Sequence, residues 1–352
     1  MRVLLVGDYP PPHGGVAVHV RQMHDSLRER GVESVVLDIG KGGHPAPGVI
    51  SVRTPAQYAR RLAGFIREGW TVHVHTSGNN PKSWVLAATG ALRAPGSRRV
   101  ITLHSGLLPD YLAASPSRRA FARLVLMGYS HVVAVSEAVR AALVRCGVPG
   151  EKILVYPAFC GSQVRPGEVT PAIQAARERR RVLLAMAHHP SPVYGRGLMF
   201  RALRQLADAR PGVGLAVFGP GTHSEEFQRD AREHGVESLL ENLGELAHPE
   251  ALALIARCDA FIRPTTHDGD AISVREALAL GVPCVASDVC ARPEGVTTFR
   301  AGSAEDLTRR VLHALEAGPA RVVSPDAGPV LMKLYGDLTQ STSVGGELHA
   351  AQ

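Results

Sequence analysis

The sequence predicts an α/β protein of two parallel sheets with helices on both faces, one in each half of the chain. Three observations predict it. Short apolar runs of strand length alternate with amphipathic helical runs, the pattern of a doubly wound parallel sheet. The alternation stops between Gly161 and Arg180, a stretch rich in Pro, Gly, Gln and Arg, and restarts at Val182. The chain has 352 residues, room for about two domains of ~100–200 residues each.

Val3 to Val6 opens the first half as a strand. The loop Gly7 to Gly15 carries three prolines, and Val16, Val20, Met23 and Leu27 follow at helical spacing. Gly14 and Gly15 stand just before that helix. Glycine there lets the backbone approach an anion or a sugar closely, although a plain turn explains the same residues. No G-x-G-x-x-G is present, which disfavours a dinucleotide-binding first unit. Ser34 to Leu37 is the next strand, and Tyr58, Leu62, Phe65 and Ile66 mark a helix. Val72 to His75 is a strand, Trp84 to Leu92 a helix and Val100 to Leu103 a strand that ends at His104. His104 therefore sits at the ligand edge of the sheet, as a functional residue or as a hydrogen-bonding loop residue. His73 and His75 alternate along their strand and read as structural. Ser115 to Met127 is a basic amphipathic helix, with Arg118, Arg119 and Arg123 beside Phe121 and Leu124. It is either a solvated face or a contact for an anionic membrane surface. Val132 to Val135 is a strand, Ser136 caps the helix that runs to Cys146, and Ile153 to Val155 follows.

The second half repeats the scheme. Arg177 to Arg181 reads as a solvated face at its start. Val182 to Ala185 is the first strand, His188 to Gly197 the loop and Leu198 to Ala209 the helix. Arg196, just before that helix, is placed to hold a diphosphate, or is an ordinary surface arginine. Leu215 to Gly221 is a strand ending in a glycine turn that includes Gly219. Phe227 to His234 is helical, Leu239 to Leu243 extended, and Gly244 begins a loop. Helices follow at Pro249 to Arg257, Ala304 to Ala317 and Val330 to Leu338, and the residues after Thr339 read as a polar, frayed tail.

Between these helices lies the stretch Ile262 to Ala286, read as strand, loop, helix, strand. Its loop holds Asp268, Gly269 and Asp270. Ile272 to Leu280 then forms a helix stopped by Gly281 and Pro283. The loop leaves the carboxyl end of a parallel strand, where α/β folds bind ligands. The helix start aims backbone N–H groups and the positive dipole end at the same place, so phosphate binds without a basic side chain. Asp268 before the helix and Glu276 inside it supply carboxylates for hydroxyl groups, as on a sugar nucleotide.

Composition narrows the classes. No run reaches the ~18 apolar residues of a membrane span, and Met1 to Gly7 reads as a strand rather than a signal peptide. The five cysteines form no C-x-x-C pair, which points away from structural zinc and disulfides and towards a reducing cytoplasm. The net charge of +7 suits anionic partners such as nucleotide diphosphates or phospholipid, or plain solubility. Nucleic acid is disfavoured, since charges are scattered and aromatics are 5%.

Taken together, these residues resemble the retaining, nucleotide-sugar-dependent glycosyltransferases of family 4 (group 1), which have the GT-B fold. The resemblance covers nearly the whole chain. It rests on Pro12-His-Gly-Gly-Val16, His104, Ala134-Val-Ser-Glu137, Gly195-Arg-Gly197 and Val217-Phe-Gly-Pro-Gly221. Its most specific part is Asp268 with Glu276 in the frame Asp-x7-Glu, followed by Ala-Leu-Ala-Leu-Gly-Val-Pro. It implies two Rossmann-like domains facing across a cleft: residues 1–165 on the acceptor side, 166–328 on the donor side, a helix at 329–340 crossing back, and a flexible tail at 341–352. It further implies that Glu276 binds the ribose hydroxyls, Asp268 contacts the transferred sugar, and His104 lies near the sugar's 6-hydroxyl. Gly269, Asp270, Ala271, Ile272 and Ser273 would offer the sugar and diphosphate their backbone. Arg196 would hold the diphosphate, Gly14 and Gly15 would approach the phosphates, and Gly219 and Gly244 would border the base pocket.

The implied reaction moves a sugar from a UDP- or GDP-type donor, with retention and with no metal or cofactor, to a glycan, lipid-linked or small-molecule acceptor. The implied setting is cytoplasmic polysaccharide biosynthesis, with peripheral contact at the inner membrane face. The sequence departs from the family pattern at three points. Asp268 replaces a glutamate, the usual Gly-Arg is replaced near His188 and His189, and Tyr156-Pro-Ala-Phe-Cys160 replaces Asn-Gly-Val-Asp. Three other readings stay open. Asp268-Gly-Asp270 is also a metal-holding Asp-x-Asp pair of the other large glycosyltransferase fold. The chain also fits a GT-B epimerase or hydrolase of the nucleotide sugar, or a weakly catalytic protein that binds nucleotide sugar or glycan.

Overall fold

The computed structural model describes residues 1–11, 14–40, 42–43, 45–92, 98–318 and 326–347, with the side chains of 92 and 340–347 excepted. Pro12 and His13 of the glycine-containing loop, and residues 348–352 of the expected tail, lie outside the described residues.

The chain divides into two compact units, Met1–Gln163 with Pro325–Gln352, and Val164–Ser324. The first contains strands β1 (Arg2–Gly7), β2 (Glu33–Asp38), β3 (Val49–Ser51), β4 (Thr71–Thr76), β5 (Arg99–Leu103), β6 (His131–Ala134) and β7 (Ile153–Val155). They form one parallel sheet in the order β3-β2-β1-β4-β5-β6-β7. The second contains β8 (Val182–Ala187), β9 (Val213–Phe218), β10 (Leu240–Gly244), β11 (Ala260–Arg263), β12 (Cys284–Ser287) and β13 (Val296–Phe299). These are also parallel, in the order β10-β9-β8-β11-β12-β13. In each sheet the chain starts in the middle, builds to one side, then crosses to the other. The switch falls between β1 and β4 in the first unit and between β8 and β11 in the second. Loops leaving the carboxyl ends of such strands diverge and open a crevice.

The central strands are buried on both faces because helices cover both, and apart from the face of β4 that carries His73 and His75 they are mostly apolar. Leu4, Val6, Val72 and Val74 enter one core of the first unit, and Val3, Leu5 and Val100 enter another. The helix Gly15–Glu29 buries Val20, Met23 and Leu27 as its periodicity requires. Ser136 caps its helix by accepting from the Val139 N–H. The helix Ala327–Glu347 returns to the first unit and runs beyond the Leu338 end that apolar spacing marks. Its Tyr335 hydroxyl bonds His73 Nδ1, while His73 Nε2 is 2.7 Å from Thr102 Oγ1. His73 is therefore structural, as its strand position indicates.

Four elements escape the sequence pattern. β3 and β13 are short edge strands paired on one side. The helices Leu108–Ala113 and Pro171–Arg179 are brief. The second corrects the expected solvated face at Arg177 to Arg181. Arg179 and Arg180 bind the Glu241 carboxylate at 2.6 and 2.7 Å, and Arg177 binds Asp259 at 3.0 Å. Glu241 lies on β10 and is 5% exposed. Burial would raise its pKa, but the two arginines bring it below the ordinary value. A buried carboxylate needs such partners.

Candidate active site

In the second unit, four loops leave the carboxyl ends of β8, β9, β10 and β11, and four close backbone contacts lace them together. Gly195 ends the β8 loop at φ 71°, and a Cβ there would lie 2.0 Å from the Pro264 carbonyl oxygen in the β11 loop. Gly219, after β9, has φ 124°, and a Cβ would lie 2.3 Å from the His188 carbonyl oxygen. The Gly219 N–H donates to the Gly244 carbonyl at 2.7 Å, and Thr266 N–H to Val193 at 2.9 Å. Only glycine allows the approaches at Gly195 and Gly219. Gly244, expected to open a loop, is the last residue of β10, at φ 68° beside a register shift.

The helix Ile272–Ala279 begins at Ala271, which offers no side-chain cap. The first turn, with Ile272 and Ser273, therefore presents backbone donors rather than a capped end. Gly269 and Ala271 are buried ahead of it. Glu276, 4% exposed, lies in the second turn with Oε1 2.7 Å from His248 Nε2.

The two aspartates diverge. Asp268 Oδ2 accepts from Arg263 Nε at 3.1 Å, Arg292 at 2.9 Å and Thr265 Oγ1 at 3.2 Å. Burial would raise its pKa, but the two guanidinium groups carry it down to about 2. Asp270 is bound by Arg275 Nε at 2.7 Å, and burial still leaves its pKa above the ordinary value. Each carboxylate is thus spent on different arginines, which works against the Asp-x-Asp metal reading. It also makes Asp268 a locked ion-pair residue rather than a free carboxylate. Arg196 is the first residue of its helix, not a loop residue. It binds Asp230 at 2.6 Å and Glu226 at 2.8 Å, so it too has partners already. His188, 3% exposed, keeps both ring nitrogens without a hydrogen-bond partner. Burial, then the nearby Arg196, lower its pKa to about 4.

The first unit holds the remaining candidates. Gly14 and Gly15 start their helix with open space where a Cβ would stand. His104 follows β5, with Nε2 3.3 Å from His75 Nδ1, and His19 packs on both rings. His75, read as structural from its strand, belongs to this cluster.

Sequence reasoning missed Arg263, Arg292, His248 and His19. Arg263 stood five residues before Asp268, a spacing that could have flagged it. The other three come from separate elements and left no local signal.

The chain is similar to known proteins over most of its length. Residues 180–317 match the family model described as Glycosyl transferases group 1, and residues 13–159 match Glycosyltransferase Family 4. The chain is 25% identical over 344 residues to glycogen synthase of Mycobacterium tuberculosis (strain CDC 1551 / Oshkosh), covering 86% of this chain and 81% of that one. It is 25% identical over 342 residues to the GDP-mannose-dependent alpha-(1-6)-phosphatidylinositol monomannoside mannosyltransferase of Mycolicibacterium smegmatis, covering 87% and 85%. Its fold is similar to that of Anabaena Alr3699/HepE in complex with UDP-glucose, with TM-score 0.68, 18% identity, and 98% and 100% of the two chains covered. With both sheets parallel and both halves matched, the chain belongs to the family 4 (group 1) glycosyltransferases and has the GT-B fold.

Proposed function

We propose that the chain transfers a sugar from a nucleotide diphosphate sugar to a glycan, lipid-linked or small-molecule acceptor, with retention of configuration and without a metal ion. The observation that carries this reading is the buried Glu276, fixed by His248 beside the uncapped start of its helix. A carboxylate there suits ribose hydroxyls, and the helix start suits the phosphates. Gly219 and Gly244 border the base. Arg196 exchanges Glu226, whose side chain is 62% exposed, for the leaving diphosphate. Together with backbone N–H groups it stabilises the charge that develops on departure. The acceptor hydroxyl attacks from the face the diphosphate leaves. Asp268 holds the β11 loop through Arg263 and Arg292, while Gly14, Gly15 and His104 follow strands β1 and β5 within the first unit. The names of the relatives support a UDP- or GDP-type donor.

A thermal-shift screen of UDP, GDP, ADP and CMP, with and without EDTA, tests the donor site on wild type and Glu276→Ala. One diphosphate should stabilise the wild type despite EDTA, by about 2.7 kcal/mol at 100 times its Kd, and Glu276→Ala should lose that response. A response that requires metal, or survives the substitution, defeats this reading. The occupied states of Arg196 and Asp268 favour a second one, a nucleotide-sugar-binding protein with weak turnover. Donor binding without transfer or hydrolysis would select it.

The reading includes contact with an anionic membrane surface. Phe121, Leu124 and Met127 on the helix Pro116–Met127 are 43%, 72% and 43% exposed, beside exposed Arg118 and Arg123. No helix of the described residues is long and apolar enough to cross a membrane, so such contact is peripheral. The chain should float with anionic vesicles and release at high salt, and Leu124→Ser should weaken flotation. Equal flotation on neutral vesicles removes this part of the proposal.

A further inference from the structure

Three histidines meet at the switch point of the first sheet. His19 comes from the helix after β1, His75 from the end of β4 and His104 from the loop after β5. One ring nitrogen from each lies within 4.8 Å of the others. His75 Nδ1 and His104 Nε2 are 3.3 Å apart. A tetrahedral ion with Zn–N near 2.0–2.1 Å sets two ligand nitrogens about 3.3 Å apart. That pair therefore already has the edge of a coordination tetrahedron, and the third ring has to close by about 1.5 Å or less.

The chemistry of the cluster agrees with its spacing. His19 and His75 are each 1% exposed, and His19 Nδ1 has no hydrogen-bond partner. Buried polar atoms left unpaired are costly unless something binds them. The Ala158 backbone hydrogen-bonds the His19 ring, the kind of outer contact that orients metal-bound imidazoles. Burial holds all three rings well below the usual imidazole pKa, and neighbouring histidines add to this for His75 and His104, so the rings are neutral with a lone pair to give. His73, 4.1 Å from His75 between ring centroids, is not a ligand, because Tyr335 and Thr102 take its nitrogens.

We propose that His19, His75 and His104 form a three-histidine site for a borderline divalent cation of the zinc class, with its fourth position open beside the partly exposed His104. Imidazole sets of this kind suit Zn²⁺ and its neighbours rather than Mg²⁺ or Ca²⁺. The ring whose N–H bridges His75 and His104 shifts that proton to its other nitrogen, so that both facing nitrogens turn a lone pair to the ion. The site uses the first unit alone and does not depend on the donor reading. Its occupation takes the His104 lone pair away from any other role.

The test uses the full chain, free of any histidine tag, stripped with chelator and titrated with Co²⁺ while the visible spectrum is recorded. The expected result is one equivalent bound with the intense absorption of tetrahedral cobalt, displaced by Zn²⁺ and not by Mg²⁺. His104→Gln, the least buried change, and His19→Asn should each weaken binding by roughly tenfold or more, with circular dichroism unchanged. Absence of uptake by the wild type, a weak octahedral spectrum, or folded variants that bind as well as wild type would overturn the proposal.

Discussion

Asp268 sits between Arg263 and Arg292, and that arrangement sets a pH dependence at the residue scale. Its folded pKa, about 2, lies below the value of ~3.9 expected when unfolded. A depressed carboxylate contributes stability that is fully present above the unfolded pKa and is lost as pH falls through the folded one. The contribution is on the order of 2 kcal/mol and fades between about pH 4 and 2. Asp268→Asn leaves two arginines, 13% and 3% exposed, without their anion, at a cost of about 3–5 kcal/mol near neutral pH. Urea unfolding of both proteins should show the gap narrowing as pH drops from about 4 towards 2. A gap independent of pH would mean that the carboxylate's charge is not what holds the loop.

At the scale of elements, the Pro171–Arg179 helix and β10 are joined by charge rather than by apolar contact alone. Arg180→Ala removes a 2.7 Å bond from a buried carboxylate, and Arg179 keeps only a more exposed hold on it. The expected cost is about 1–3 kcal/mol, against within about 0.5 kcal/mol for the exposed Arg181→Ala. Equal effects in denaturant unfolding would restore the solvated-face reading. Most elements were legible in the sequence because apolar periodicity reports burial on one face or two. β3 and β13 were not, because they are short edge strands with mostly half-exposed side chains and polar residues among them, whereas the equally short edge strand β7 reads as the apolar run Ile153–Val155. The arginine run looked solvated because its partner, Glu241, lies more than sixty residues away.

At the scale of the molecule, the final helix packs on the first unit, with Leu331, Leu334 and Tyr335 in the core beside Val3, Leu5 and Met23. Tyr335→Phe removes its bond to buried His73 and should cost about 1–3 kcal/mol, read as faster amide exchange in β4 and the final helix. Unchanged exchange there would show that apolar packing alone holds the helix. The sequence by itself determined the βα alternation, its restart at Val182 and the strand–loop–helix frame around Asp268 and Glu276. These depend on local spacing, and local spacing is written along the chain. Only the tertiary structure decided which charges are already paired, how Gly195 and Gly219 lace separate loops together, and that His19, His75 and His104 meet. Each of these depends on atoms brought together by sheet order, and no one-dimensional pattern records which distant side chains share a crevice.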